Sequence, residues 1–200
     1  MIHKKDDLRI KRTHKLIRNA LIELIAEKGF AAITIGDIAS RAMINRSTFY
    51  RHYEDKYDLV TRIFKDAIDQ MVVEIGPPLE NPIAIDLVDP PKGWERFFEH
   101  LAGHAQMYQA MLGPNGSPWF AFEMRNYLAN IVRQRIQALG EKGNPGSIPE
   151  EVITAFIANC CLGVMVWWLE SGKAVSPTQI ADWFSKFILY GYFNILQIKP

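Results

Sequence analysis

Apolar residues recur every three to four positions through most of the chain, which is the spacing of a helix with one buried face. Near the N-terminus Ile17, Leu21 and Ile25 follow this spacing and predict a helix over residues 8–28, which Gly29 should end. No segment alternates apolar and polar residues as a half-buried strand does. The pattern therefore predicts an all-α protein.

Two short predicted helices, joined by a tight turn, follow the first. Thr34 and Asp37 have the spacing of a capping box, in which each side chain bonds the backbone amide of the other. Met43 and Ile44 form the turn, and Asn45 should cap the next helix by accepting a hydrogen bond from a free amide. This succession is typical of a helix-turn-helix, whose second helix enters the major groove of DNA.

The second short helix has an apolar and a polar side. Phe49 and Tyr53 lie one turn apart and should pack inward, so the polar residues point away from the core. We expect Arg46, Ser47 and Thr48 to read base edges, since arginine favours guanine in the major groove. Other side chains should contact phosphates, which position a protein on DNA without reading sequence. The full set of predicted DNA contacts is Thr34, Arg46, Ser47, Thr48, Tyr50, Arg51, His52, Lys56, Lys11 and Lys15.

The distribution of charge supports this interpretation. The net charge of +1 conceals an asymmetry, because residues 1–56 hold 12 Lys or Arg against 7 Asp or Glu, whereas residues 57–200 hold 11 against 15. A basic N-terminal part joined to an acidic remainder indicates that only the N-terminal part binds a polyanion. Without the helix-turn-helix, an ordinary uneven surface would be the better interpretation.

Five further helices are predicted, over residues 56–75, 94–112, 119–139, 147–171 and about 176–197. Ser147 with Glu150, and Ser176 with Gln179, should form the caps that begin the last two.

A proline-rich segment separates the first of these helices from the second. Residues 76–91 contain five prolines, which cannot continue a helix, and should form a surface loop. We divide the chain into a three-helix DNA-binding domain, residues 9–69, and a larger helical domain for ligand binding and dimerisation, residues 70–200.

The helix over residues 147–171 has two competing interpretations. Residues 152–169 carry no charged side chain, a run close to the lower limit of about 17–25 residues for a membrane span. A helix that is apolar all round can equally be buried within protein. The last predicted helix also has two apolar sides, and two such helices favour dimerisation over membrane insertion. The predicted interface residues are Phe156, Cys160, Gly163, Trp183, Phe187 and Tyr190.

The cysteines and the N-terminus suggest a cellular location. Cys160 and Cys161 are the only two cysteines, and neighbouring cysteines rarely form a disulfide because the geometry is strained. We interpret them as small buried residues in a reducing compartment. Residues 1–7 lack the apolar core of a secretory signal, so we expect a cytoplasmic protein.

The sequence contains no convincing catalytic motif and one candidate metal-binding pair. Residues 140–147 are rich in glycine but lack the Lys-Ser/Thr pair of a phosphate loop. His100 and His104 share a helix face at a spacing that can hold a metal, with Glu99 and Glu123 as possible further ligands. A pair of half-buried histidines is the favoured interpretation, because a zinc site usually needs three or four protein ligands. We therefore predict no enzyme, no cofactor and no metal.

One segment resembles a known family. Residues 44–53, Ile-Asn-Arg-Ser-Thr-Phe-Tyr-Arg-His-Tyr, followed by Asp55-Lys56 and Leu59, resemble the signature of the TetR/AcrR family of bacterial regulators. The resemblance covers roughly residues 9–69. The turn holds Met43 where the family usually has glycine.

The resemblance implies further features of this chain. Members of the family pair through their last two long helices in a four-helix bundle between subunits, so a homodimer on a two-fold-symmetric DNA operator is expected. They also enclose a ligand cavity in the second domain, which implies a small apolar or aromatic effector here. The residues expected to line it are Phe97, Leu101, His104, Tyr108, Phe122, Met124, Tyr127 and Trp167.

Three functional hypotheses follow. The first is a DNA-binding repressor that a small apolar effector releases from its operator. The second keeps the fold but makes the protein an activator controlled by a protein partner, because residues 161–172 resemble the C-terminal region of such a subgroup. The third is a membrane-bound helical protein.

Overall fold

The computed structural model describes residues 2–75, 92–138 and 148–195. Every regular element in these ranges is helical, which confirms the predicted all-α fold. The helices are α1 (Ile2–Lys28), α2 (Ile35–Arg41), α3 (Arg46–His52), α4 (Lys56–Ile75), α5 (Lys92–Gly103), α6 (Ala105–Leu112), α7 (Pro118–Ala138), α8 (Glu150–Glu170) and α9 (Pro177–Ile195).

The chain packs as two compact units. The first comprises Met1–Ala67 and Gln106–Ala121, and the second comprises Ile68–Ala105 and Phe122–Pro200. The boundaries therefore fall within α4 and α7 and close to the start of α6. The functional division at residues 69 and 70 stays a prediction.

The first unit is built around α1. Ile17, Leu21 and Ile25 are buried, as their spacing predicts. Gly29 ends the helix in the left-handed region, with φ of +77°, and its amide donates to the Ile25 carbonyl at 2.9 Å. The predicted start at residue 8 is wrong, since α1 begins at Ile2. Residues 2–7 contain no glycine or proline that would stop the helix.

The second unit has an aromatic core. The Phe98 ring meets the Trp168 ring edge-on at 5.4 Å between centroids, and Trp94 meets Phe184 in the same way at 4.5 Å. The Trp168 indole N–H donates to the Val175 carbonyl at 2.9 Å, which satisfies the only polar atom of this buried side chain. These contacts involve α5, α8 and α9.

One predicted helix is in fact two. Residues 94–112 were expected to form a single helix, but α5 ends at Gly103 and α6 begins at Ala105. Gly103 is the weakest helix former at the break, because glycine loses more backbone freedom than any other residue when it becomes helical. The apolar spacing continues across the break and gives no sign of it.

The structure bears differently on the predicted N-terminal caps of α8 and α9. The Gln179 amide donates to Ser176 Oγ at 3.2 Å, which confirms the Ser176 cap of α9. Helix α8 has Pro149 as its N-cap and no side-chain cap bond. Ser147, the predicted cap, lies outside the described residues, as do residues 76–91, which were predicted to form a loop.

Candidate nucleic-acid interface

The start of α2 is fixed by the predicted capping box. The Asp37 amide donates to Thr34 Oγ1 at 3.2 Å, and the Thr34 amide donates to Asp37 Oδ2 at 2.8 Å. Lys28 Nζ lies 2.7 Å from the same carboxylate oxygen and so ties the end of α1 to the start of α2. Hydrogen bonds from Lys28 and then from Thr34 hold the pKa of Asp37 well below its usual range.

Helix α2 ends in a Schellman turn. The Ile44 amide donates to the Ala39 carbonyl at 2.9 Å, and the Met43 amide donates to the Ser40 carbonyl at 3.1 Å. Met43 occupies the left-handed position of this turn, with φ of +53°, and its side chain is 87% exposed. The turn therefore keeps a geometry that favours glycine although a larger residue stands there.

Asn45 is the N-cap of α3, as predicted, but the predicted hydrogen bond from its side chain is wrong. Asn45 has the extended backbone of an N-cap, and its carbonyl accepts from the Thr48 and Phe49 amides at 2.9 and 3.2 Å. Its side chain makes no cap bond. Because Asn45, Arg46 and Ser47 are exposed, water can satisfy the first amides of the helix.

The inner side of α3 is anchored by two aromatic residues. Phe49 is fully buried and Tyr53 is nearly so, as predicted. The Tyr53 hydroxyl contacts Nδ1 of His14 on α1, and the Arg62 guanidinium lies over the Tyr53 ring at 5.1 Å from its centroid. Burial raises the pKa of Tyr53 to about 12. These contacts fix how far α3 stands out from α1 and α4.

His52 is partly withdrawn from the outer side of α3. It is half-buried, and its ring lies 4.8 Å from the His14 ring, edge-on. Burial is the main cause that lowers the pKa of His52, and positive charges nearby add to it. The lowered pKa favours the neutral form of His52, and its predicted DNA contact stays a prediction.

The outer side of α3 presents the other predicted contacts. Arg46, Ser47, Tyr50 and Arg51 are exposed, and Thr48 is half-buried. The Arg46 guanidinium lies against Gly36 in the first turn of α2. A Cβ atom at Gly36 would be 3.2 Å from Arg46 Cζ and closer still to one terminal nitrogen. Glycine thus leaves room for the arginine across the start of α2, although it weakens the helix.

Lys56, a predicted phosphate contact, is hydrogen-bonded within the fold. Its Nζ donates to the carbonyl oxygens of Phe30, Ala31 and Ile33 at 3.0, 3.1 and 2.9 Å. Since an ammonium group has three hydrogens, these bonds use all of its donors. Lys56 therefore stabilises the loop between α1 and α2, and its predicted phosphate contact stays a prediction.

The remaining predicted DNA contacts lie on α1 and at the start of α2. Lys11 and Lys15 are exposed along α1. Thr34 is exposed too, but its hydroxyl donates to Asp37 Oδ2 at 2.6 Å. The DNA contacts of these residues stay predictions.

The residues predicted to line a ligand pocket differ in burial, and the pocket stays a prediction. Phe97, Leu101 and Met124 are buried in the second unit, His104 and Tyr127 are half-buried, and Tyr108 belongs to the first unit. Phe122 and Trp167 are 49% and 51% exposed. Helical spacing alone could not place these side chains.

A cleft of about 420 Å³ lies within the first unit. Its walls come from α1 and α6 and from the loop after α6, with Ile22, Ala26, Gln109 and Pro114 among the lining residues. Both apolar and polar groups line it.

Most of the predicted interface residues face outward. Phe156 is 67% exposed, Phe187 and Trp183 are exposed, Gly163 is exposed and Cys160 is half-buried. The side chain of Tyr190 lies outside the described part of the chain. Helix α8 is long and apolar enough to cross a membrane by length and composition, with a mean hydropathy of 2.0 and a third of that stretch buried.

Two family profiles match the sequence. One, described as bacterial regulatory proteins of the tetR family, covers residues 17–63. The other, described as a transcriptional regulator C-terminal region, covers residues 89–190, about half of the chain. The first includes all of α2 and α3, and the second includes α5 to α8.

Relatives and solved structures agree with these matches. The HTH-type transcriptional regulator YxbF of Bacillus subtilis is 25% identical over 191 residues, which cover 92% of this chain and 47% of the relative. The chain spans less than half the length of the curated relatives it matches.

Two solved structures share the fold. A TetR transcriptional regulator from Streptococcus agalactiae has a TM-score of 0.67 at 21% identity, over 93% of this chain and 98% of that one. The regulator FadR from Bacillus subtilis, solved with stearoyl-CoA, has a TM-score of 0.64 at 15% identity, over 89% and 98%.

Proposed function

The chain belongs to the TetR family of bacterial regulators, and on that premise we propose that it is a transcriptional regulator that binds a specific DNA sequence as a homodimer. The observation that carries the proposal is the unit formed by α2, its Schellman turn and α3. Phe49 and Tyr53 anchor α3 from within, while Arg46, Ser47 and Tyr50 are exposed on its outer side. A short helix held in this way presents its N-terminal side chains to the major groove.

Electrostatics supports DNA as the partner. Residues 1–56 carry an excess of five positive charges, and the rest of the chain carries an excess of four negative charges. DNA attracts the first part and repels the second, so charge favours one binding orientation. Lys11 and Lys15 on α1 are exposed for phosphate contacts.

The exposed apolar faces of α8 and α9 support a homodimer. Val152, Phe156 and Trp167 lie on the outer face of α8, and Trp183 and Phe187 lie on that of α9. Aromatic side chains of this size provide much of the buried area in stable interfaces. A second copy of the chain would cover these faces and account for the apolar character of α8 without a membrane. This proposal includes a cytoplasmic location.

A small apolar effector completes the proposal. FadR of Bacillus subtilis, which has the same fold, was solved with stearoyl-CoA. In this chain the second unit has an aromatic core formed by α5, α8 and α9. An effector would release DNA only if it bound more tightly to the form whose recognition helices are wrongly spaced. We propose repression as the sign of regulation.

The proposal is tested by comparing one base-reading and one phosphate-contacting residue. Arg46→Ala should cost about 1–3 kcal/mol of binding free energy on the specific site and should relax sequence preference. Lys15→Ala, the matched control, should weaken binding to specific and random duplexes alike and reduce the salt dependence by about one counterion. Fluorescence anisotropy on both duplexes at several salt concentrations measures these effects. Equal losses for Arg46→Ala on both duplexes would contradict the role of α3 in reading bases.

A further inference from the structure

Three side chains that could bind a metal ion meet in the second unit. Glu74 lies in the last turn of α4, His100 lies on α5, and His104 follows directly after α5. One carboxylate oxygen and one nitrogen from each histidine lie within 4.8 Å of one another. The sequence suggested Glu99 or Glu123 as partners for the histidines. In the described residues, the fold brings Glu74 to them instead.

The two histidines are held in one helical turn. The His104 amide donates to the His100 carbonyl at 3.1 Å, so the helical spacing continues one residue beyond the end of α5. The ring centroids are 4.5 Å apart. Two histidines four residues apart on one helix face are a known arrangement for binding zinc.

The tautomer of His104 suits a metal ligand. Its Nδ1 lies 2.9 Å from the His100 carbonyl oxygen. Because a carbonyl oxygen only accepts, Nδ1 must carry the hydrogen, and Nε2 then has a free lone pair. A histidine that binds a metal commonly donates its other ring hydrogen to a backbone carbonyl in this way.

Glu74 supplies a negative charge and connects the group to solvent. Its Oε2 lies 2.7 Å from His100 Nδ1. The His100 side chain is fully buried, whereas the Glu74 side chain is 46% exposed. The group therefore has a buried inner histidine and an outer carboxylate that solvent, and an entering ion, can reach.

We propose that Glu74, His100 and His104 bind one divalent transition-metal ion of the zinc type. Two imidazole nitrogens and a carboxylate oxygen are ligands that Zn²⁺ accepts, with bonds of about 2.0–2.2 Å. Three protein ligands leave the fourth position of a tetrahedral site for water. Because a ligating nitrogen must be deprotonated, the ion displaces the proton shared between Glu74 Oε2 and His100 Nδ1 and replaces this hydrogen bond.

The ion joins the end of α4 to α5. Helix α4 begins four residues after α3, so this site clamps the far end of the helix that follows the recognition helix. Metal binding itself does not depend on the proposed function. An effect of the metal on DNA affinity does rest on the proposed function, and it would make the ion an effector.

Zinc titration of the metal-free, full-length protein tests the site. Isothermal calorimetry in the absence of DNA should show one Zn²⁺ per chain. Glu74→Gln and His104→Gln should each weaken this binding by at least about tenfold, the scale seen even for the partners of metal ligands. Both residues are at least partly exposed, so the variants should fold. Glu99→Gln, an exposed neighbour on α5, is the matched control and should bind as the unmodified protein does.

Two results would overturn the proposal. One is the absence of stoichiometric zinc binding by the unmodified protein. The other is equal affinity in the two ligand variants and the control, which would assign the ion to other groups. A cobalt-loaded sample gives an independent readout, since three protein ligands and water produce the visible spectrum of a tetrahedral ion only while both ligand residues are present. Failure of DNA binding with zinc binding intact would contradict the proposed function alone.

Discussion

Met43 is the residue of the helix-turn-helix, formed by α2 and α3, whose backbone is most strained. A non-glycine residue in the left-handed region costs roughly 1–2 kcal/mol, and Met43 gains no packing in return because it is 87% exposed. Met43→Gly should therefore raise the free energy of unfolding by about 1 kcal/mol, as measured by urea denaturation. Met43→Ala removes the same side chain but keeps the strain, so it should change stability little. A glycine variant no more stable than the alanine variant would contradict this.

Lys56 illustrates how a charged residue near DNA can serve the fold. Lys56→Met retains much of the apolar stem but leaves three carbonyl oxygens without their donor. We expect it to lower the free energy of unfolding by about 2 kcal/mol. Lys15→Met, which alters an exposed lysine on α1, should have almost no effect on stability. If Lys56→Met kept full stability but lowered the salt dependence of DNA binding, Lys56 would act as a phosphate contact and not as a support of the loop.

At the scale of elements, the start of α2 carries a pH dependence. The pKa of Asp37 is lowered in the folded protein, so the unfolded chain binds the proton more readily in acid. The stability that Asp37 contributes is therefore fully present well above the ordinary pKa of 3.8 and is lost progressively as the pH falls below that value. Asp37→Asn should reduce stability at pH 7, and the difference from the unmodified protein should shrink at pH 3.

Urea denaturation at these two pH values measures that difference. Asp69→Asn, which alters an exposed aspartate on α4, serves as the control and should leave stability nearly unchanged at both. A loss for Asp37→Asn that is as large at pH 3 as at pH 7 would show that the carboxylate charge is not what stabilises the cap.

Elements with local signals were predicted well. Helix α4 begins and ends where its spacing predicts, and the capping box at Thr34 and Asp37 is formed by residues three apart. The break at Gly103 left no trace in the apolar spacing. Asparagine is a common N-cap residue, and Asn45 does occupy that position. Residue type alone, however, does not determine whether its side chain adopts the rotamer that makes the cap bond.

Sites built from distant residues were predicted poorly. Glu74 approaches His100 from 26 positions upstream, and no local pattern connects them. The residues expected to line a ligand pocket were grouped by type, and their spacing could not show that Tyr108 belongs to the first unit. The sequence also showed no sign of the hydrogen bonds that Lys56 makes within the fold, because its three carbonyl acceptors lie 23 to 26 residues away in sequence.

At the scale of the whole molecule, the proposed dimer makes a separate prediction. Phe156 is the most exposed aromatic residue of α8, so Phe156→Lys should place a charge in the interface between subunits. Analytical ultracentrifugation should show a dimer for the unmodified protein in plain buffer and a monomer for this variant. Glu151→Lys changes charge near the start of the same helix and should leave the dimer intact. A monomeric unmodified protein, or one that needs detergent, would contradict the dimer.

The central claim is that α3, presented twice by a dimer, reads a specific DNA sequence. Selection of bound duplexes from a random library by the purified protein tests it most directly. The account predicts enrichment of an inverted repeat whose half-site centres lie about 10–10.5 base pairs apart, or a multiple of that spacing. A pool that stays random after repeated rounds at low ionic strength would contradict it.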